Sequence, residues 1–206
     1  MDVRILIDGV EQEIELRPFD KAWTTEYERI EALEDEEEKA RRFKLLNAIQ
    51  EKIGDYYVNE MEYEFRMHMK KLAERGIVFH EMENMSGYKA RWSRLFASSL
   101  TKEEKRQIYY GQYRWHIFSY EKVTCLKGDE ARAVFDACEK KTAYQFFQHE
   151  NSGFFIENAH LLKAADMDYE NTPTKSDTYL FDAEGKWTYV RTHEIYCGPY
   201  FFRKDK

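Results

Sequence analysis

The chain has 206 residues, a net charge of −7 and three widely spaced cysteines without a CxxC pair. That length suits one substantial domain, or a smaller domain with an added arm. Its apolar runs are far shorter than the ~20 residues of a membrane-spanning helix. The acidic, alternating N-terminus also lacks the basic and apolar blocks of a signal peptide. We therefore expect a cytoplasmic protein whose thiols are reduced.

The negative charge belongs to the N-terminal part of the chain. Residues 1–88 contain 22 acidic and 13 basic residues, a net −9, whereas residues 89–206 contain 17 acidic and 19 basic residues, a net +2. Without a strongly basic surface, direct binding of nucleic acid is not expected.

The first 75 residues predict a β-hairpin followed by a long helical arm. Two alternating segments, 3–7 and 10–16, flank Asp8-Gly9, a dipeptide that favours a tight hairpin turn. Asp20 is a candidate N-cap for the helical segment that follows. Gly76 stands where a helix would take its C-terminal cap.

Apolar residues recur along this arm at a mean spacing close to the 3.6 residues of an α-helix. The stripe consists of Phe43, Leu46, Ile49, Ile53, Tyr57, Met61, Phe65, Met69 and Leu72. We expect it to be buried, either under the hairpin and helix 20–34 or in a homodimer with a second copy of the chain. A helix of this length either kinks near Gly54-Asp55 or projects as an arm.

Residues 76–206 predict a second domain of α+β class. Helices are expected at 89–100, 102–118, 129–140 and 158–165, and a capping box formed by Thr101 and Glu104 marks the start of the second. Aromatic and β-branched segments predict strands at 77–80, 143–148, 178–182 and 187–192. These segments together predict an antiparallel or mixed sheet that is covered by the helices. Its predicted core contains Trp92, Trp115, Phe118, Phe146, Leu180 and Tyr189.

Two local motifs stand out in this second domain. Residues 115–120 read Trp-His-Ile-Phe-Ser-Tyr, and 187–201 contain Trp-Thr-Tyr-Val-Arg-Thr-His-Glu followed by Gly-Pro-Tyr-Phe. Over about residues 75–202 the chain resembles an uncharacterised bacterial family, known mainly from Gram-positive species. Its members pair a W-H-[IV]-F-S-[YF] helix end with a W-T-Y-V-x-T-H-E…G-P-Y-F hairpin. The resemblance implies a domain boundary near residue 75 and no established activity.

The candidate catalytic residues are His116, His193, Glu194 and Asp177. The two histidines with a nearby carboxylate could serve a hydrolase, yet each is also compatible with a hydrogen-bonded structural role. Alternation along a strand would point His193 and Glu194 to opposite faces. No HExxH, CxxC, GxGxxG or GxxxxGK pattern is present, so no metal or cofactor is expected. Cys197 follows His193 by four residues, a spacing that does not by itself bring the two side chains into contact.

The acidic run of the arm is the candidate binding surface. It comprises Glu34, Asp35, Glu36, Glu37 and Glu38. Such a run is either a solvated helix face or a surface for a basic protein partner.

Three functional hypotheses follow. Lacking a catalytic motif, the sequence favours a non-enzymatic protein-binding module of immunity or inhibitor type. A hydrolase-like enzyme is the alternative. A third hypothesis is an acidic arm that imitates nucleic acid and blocks a DNA-binding protein.

Overall fold

A computed structural model describes residues 2–7, 10–15, 21–168, 176–194 and 196–204. Its contacts divide the chain into two compact units, Met1–Tyr63 and Glu64–Lys206. The first has 18 acidic and 9 basic residues, a net −9, and the second 21 and 23, a net +2. The domain boundary proposed at residue 75 therefore lies 12 residues beyond the point at which the contacts separate.

The first unit contains the hairpin and most of the arm. Strands β1 (Asp2–Ile7) and β2 (Val10–Glu15) pair antiparallel, with Ile7 opposite Val10. Helix α1 (Lys21–Glu31) follows. The expected turn at Asp8-Gly9 and the expected N-cap Asp20 lie outside the described residues. Within this unit, Ile30, Leu46 and Ile53 are buried.

Helix α2 (Glu36–Glu74) runs for 39 residues without a break at Gly54. It begins after Asp35, whose Oδ1 accepts hydrogen bonds from the backbone N–H groups of Glu37 and Glu38. It ends at Glu74, and the predicted capping residue Gly76 follows with φ +91° and an N–H that donates to the carbonyl of Ala73. The predicted stripe is only partly buried, because Met61 is exposed. Within one copy of the chain the nine stripe residues are therefore not all covered, and burial of the exposed part in a homodimer stays a prediction.

The second unit contains the remaining helices and strands. The helices are α3 (Ser86–Phe96), α4 (Lys102–Gln107), α5 (His116–Ser119) and α6 (Gly128–Ala137). The strands are β3 (Val78–Met82), β4 (Leu126–Lys127), β5 (Thr142–Phe147), β6 (Gly153–Glu157), β7 (Thr178–Asp182), β8 (Trp187–Arg191) and β9 (Tyr200–Arg203).

These strands form one antiparallel sheet in the order β3-β6-β5-β7-β8-β9-β4. Both faces are covered, because Leu180 belongs to one apolar cluster and its neighbours Tyr179 and Phe181 to another. All five residues of β7 and of β8 are consequently buried. The α+β class is confirmed, and so is the burial of all six predicted core residues.

The structure corrects two predicted helices. The helix expected at 102–118 is two short helices, α4 and α5, because the chain turns at Tyr109, which has φ +53°. The predicted capping box between Thr101 and Glu104 is confirmed. The helix expected at 158–165 is replaced by two 3₁₀ turns, Ala159–Leu161 and Ala164–Met167. Strands β4, β6 and β9 were not among the strands predicted from the local residue pattern.

Among the described residues, none of the helices is both long enough and apolar enough to cross a membrane.

Candidate functional site

Two of the predicted site residues come together at the open end of the β7–β8 hairpin, where these central strands reach one edge of the sheet. Thr178, the first residue of β7, pairs with Arg191, the last residue of β8. Asp177 directly precedes this pair and His193 follows it by two residues, so antiparallel pairing places them side by side. Trp115, which precedes α5, reaches the same edge from one face of the sheet.

Asp177 is a buried carboxylate that faces three donors. The Nε1–H of Trp115 donates to its Oδ2 at 2.9 Å, and the backbone N–H of His193 donates to its Oδ1 at 2.7 Å. The Nδ1 of His193 lies 2.8 Å from the same Oδ1. Because a carboxylate oxygen offers only lone pairs, Nδ1 carries the proton in this contact. Asp177 therefore orients the His193 ring and, in the neutral imidazole, leaves Nε2 as the acceptor.

His193 is accessible although its partner is not. Its side chain is 37% exposed, against 1% for that of Asp177. The ring lies against Tyr113, with 5.0 Å between the ring centroids. An oriented imidazole on a partly exposed side chain can exchange a proton with a bound molecule.

Glu194 lies on the same side as the His193 ring. His193 Nε2 is 3.9 Å from Glu194 Oε1. The expectation that alternation separates these two side chains is wrong, because β8 ends at Arg191 and the chain leaves the pleated conformation before His193. A carboxylate therefore lies within ion-pair reach of Nε2.

His116 lies on the same tyrosine ring. Its Nδ1 is 2.6 Å from the carbonyl oxygen of Ile108, and its ring centroid is 5.2 Å from that of Tyr113. Since a carbonyl oxygen only accepts, Nδ1 of His116 is protonated in this contact. The distances of His116 and His193 to Tyr113, 5.2 and 5.0 Å, place the two imidazole centroids no more than 10.2 Å apart.

His149 is a third imidazole at the Tyr113 ring, and the sequence did not single it out as a candidate. Its centroid lies 5.9 Å from that of Tyr113. It follows β5 by two residues, and no motif in the sequence distinguishes it. The pairing of β5 with β7 brings it near Asp177, since the backbone N–H of Gln148 donates to the carbonyl oxygen of Asp177 at 3.0 Å.

The thiols are poorly suited to nucleophilic catalysis. Burial raises the pKa of Cys125 to about 11 and raises the pKa of Cys138. Burial also raises the pKa of Cys197, and the neighbouring Glu194 carboxylate adds to this effect. A thiol whose pKa is raised stays protonated, and hence weakly nucleophilic, at neutral pH.

The acidic run has internal partners. Asp35 is the N-cap of α2, as described above. Arg41 and Arg42 hydrogen-bond to Glu38 and hold the pKa of its carboxyl at about 2. Lys39 lies 3.1 Å from Glu31 and 3.7 Å from Glu36. Part of the charge in this run is therefore neutralised within the arm.

A cavity of about 670 Å³ opens at the opposite end of the β7–β8 hairpin. Its lining includes two ion pairs between residues that are close in the chain. Lys186 is ion-paired with Glu184, and Lys141 lies 3.9 Å from Glu139. In the part of the chain that the structure describes, no group of three or more His, Cys, Asp or Glu side chains could hold a metal ion.

The comparisons with known proteins identify a family of unknown function. Residues 67–201 match the family model described as "Domain of unknown function (DUF4275)". Searches of curated proteins and of solved structures found no match. The matched range contains the sheet edge with Asp177 and His193 but ends before Phe202, and it begins after the first unit. Because the family model matches well over half of the chain's residues, the chain belongs to the DUF4275 family.

Proposed function

We propose that the chain is a hydrolase-like enzyme whose acid–base group is His193, oriented by Asp177. The observation that supports this most directly is the 2.8 Å contact between His193 Nδ1 and the buried Asp177 Oδ1. The other ring nitrogen belongs to an accessible side chain. A base whose inner nitrogen is held by a buried carboxylate is a recurrent arrangement in acid–base catalysis.

In the proposed reaction, Nε2 of His193 takes a proton from a water molecule as the water oxygen attacks the substrate's carbonyl or phosphoryl centre. The Asp177 carboxylate stabilises the resulting imidazolium. The bond to the leaving group then breaks, and His193 returns the proton to that group. His116 is proposed to bind or protonate the same substrate, because both imidazoles lie against Tyr113.

The test is a hydrolysis screen with chromogenic carboxylic esters, phosphomonoesters and phosphodiesters. We expect turnover of at least one class, lost in His193→Ala and reduced about 10²- to 10⁴-fold in Asp177→Asn, the usual contribution of an acid–base group. His160→Gln, on a separate 3₁₀ turn, is the control and should retain activity. Equal turnover by the wild type and His193→Ala, or no turnover of any class, would refute the proposal.

A second candidate is a protein-binding module of immunity or inhibitor type, with the first unit as the binding part. It is supported by charge segregation, since the first unit has a net −9 and the second a net +2. Such a field accelerates association with a basic protein. The nucleic-acid-mimic hypothesis receives less support, because Asp35 and Glu38 are engaged within the arm.

The test of this candidate is reversal of Glu34, Glu36 and Glu37 to Lys, which spares the cap and the Glu38 pairs. Association with a basic partner protein should slow, and the effect should shrink at high salt because exposed charges are screened beyond about 8–10 Å. An unchanged association rate at low salt would mean that the run is only a solvated helix face.

A further inference from the structure

About one turn of α2 carries two apolar side chains that are exposed in the described part of the chain. Val58 is 50% exposed and Met61 is 49% exposed. Met61 belongs to the helical stripe that is buried at Leu46 and Ile53 earlier in α2 and at Leu72 later. The uncovered part of the stripe thus lies between two buried parts.

Carboxylates border this apolar pair at helical spacing. Glu51, Asp55, Val58 and Glu62 follow one another at intervals of four, three and four residues, so they share one face of the helix. All four are exposed. Between Asp55 and Tyr63 there are three acidic residues and no basic one.

These carboxylates are less neutralised than Glu38 of the acidic run. In the described part of the chain, no ion pair involves Glu51 or Glu62, and Asp55 has only an exposed contact with Lys52 at 3.0 Å. Exposed pairs of this kind contribute little and exchange readily. Glu38, by contrast, holds two arginines. The surface around Val58 and Met61 therefore keeps its negative charge for an external partner.

We infer that this face of α2, defined by Glu51, Asp55, Val58, Met61 and Glu62, is a docking surface for a basic amphipathic protein segment. Apolar side chains of the partner would cover Val58 and Met61, and its lysines or arginines would meet the flanking carboxylates. A second copy of the chain is a poor occupant, because it would bring the same carboxylates together in a unit whose net charge is already −9. This inference rests on the protein-binding candidate above and is independent of His193.

The test measures binding of the full chain to a synthetic amphipathic peptide of about 20 residues, with lysines on one face and leucines on the other. Val58→Ser/Met61→Ser should raise the Kd about tenfold or more, and so, separately, should Glu51→Lys/Glu62→Lys. The matched control is Tyr56→Ser/Tyr63→Ser, which removes two exposed apolar side chains from the opposite face of the same turns. It should change the Kd less than about twofold.

The remaining measurements distinguish failure of this inference from failure of the proposed protein-binding function. If Glu36→Lys/Glu37→Lys weakens binding while the Val58/Met61 variant does not, the partner surface is the acidic run and the inference fails, although the binding function stands. If the wild type does not bind the peptide, both the docking surface and the protein-binding function are refuted. Sedimentation of the wild type as a dimer that Val58→Ser/Met61→Ser dissociates would assign the face to a second copy and overturn the proposed occupant. Circular dichroism should be unchanged in every variant, since all these side chains are exposed.

Discussion

Replacing Asp177 with Asn tests the hydrogen bonds on which the candidate site depends. The carboxylate accepts from the indole N–H of Trp115 and from two N–H groups of His193. An amide of the same shape has one oxygen and one NH₂ group, so one side must present a donor to a donor. The better orientation keeps the oxygen on His193 and turns the NH₂ group toward Trp115.

The expected cost follows from these contacts. One charge-assisted hydrogen bond is lost, worth about 1.5–3 kcal/mol, and a buried indole N–H is left without a partner, at about 1–3 kcal/mol. These terms overlap, because both describe the Trp115 side of the carboxylate. We therefore expect Asp177→Asn to lower the free energy of unfolding by about 3 kcal/mol. For a chain of this length that corresponds to a fall in Tm of about 6–12 °C.

The assay is urea unfolding followed by circular dichroism, with Asp136→Asn as the control. Asp136 Oδ1 accepts one hydrogen bond, from the backbone N–H of Ala164, which an Asn side-chain oxygen can also accept. That control should cost less than about 1 kcal/mol. In Asp177→Asn/Trp115→Phe the opposed donor is gone, so the double variant should be more stable than additivity predicts by about 1 kcal/mol. Strict additivity, or a loss below about 0.5 kcal/mol for Asp177→Asn alone, would refute the triple-acceptor role.

Three further predictions concern other parts of the second unit. Gly153→Ala should destabilise the protein by about 1–3 kcal/mol in urea unfolding, because a Cβ there would collide with the carbonyl oxygen of Gln145; Gly87→Ala, where a Cβ meets open space, should not. Cys125 should react with iodoacetamide at a rate that keeps rising to about pH 11, measured in a variant whose other two cysteines are serine; a plateau near pH 8.5 would contradict the raised pKa. Burial lowers the pKa of His68 in the folded state, so the unfolded chain takes up the proton first. The contribution of this residue to stability is then complete above about pH 6.5 and lost below it. His68→Gln should flatten the fall in unfolding free energy between about pH 7 and pH 5.

Local patterns were sufficient for much of the fold. The Thr101–Glu104 capping box and the Gly76 cap depend on a few consecutive residues, and the structure has both. The aromatic, β-branched segments at 178–182 and 187–192 became β7 and β8, because side chains that pack well on a pleated surface favour strands locally. The turn at Tyr109 was not predictable in this way, since a positive φ at a tyrosine follows no local preference.

The candidate site depended on tertiary structure. The sequence indicated Asp177, His116 and His193 by residue type, but their separation along the chain said nothing about contact. The pairing of β7 with β8 placed His193 on Asp177, and the position of Tyr113 brought His116 and His149 to the same ring. The same holds for α2, where helical spacing predicted the apolar stripe and only the packing decided that Met61 would stay exposed. Periodicity reports which side chains share a face, whereas burial depends on which other segments reach that face, and that is set by contacts between residues far apart in the chain.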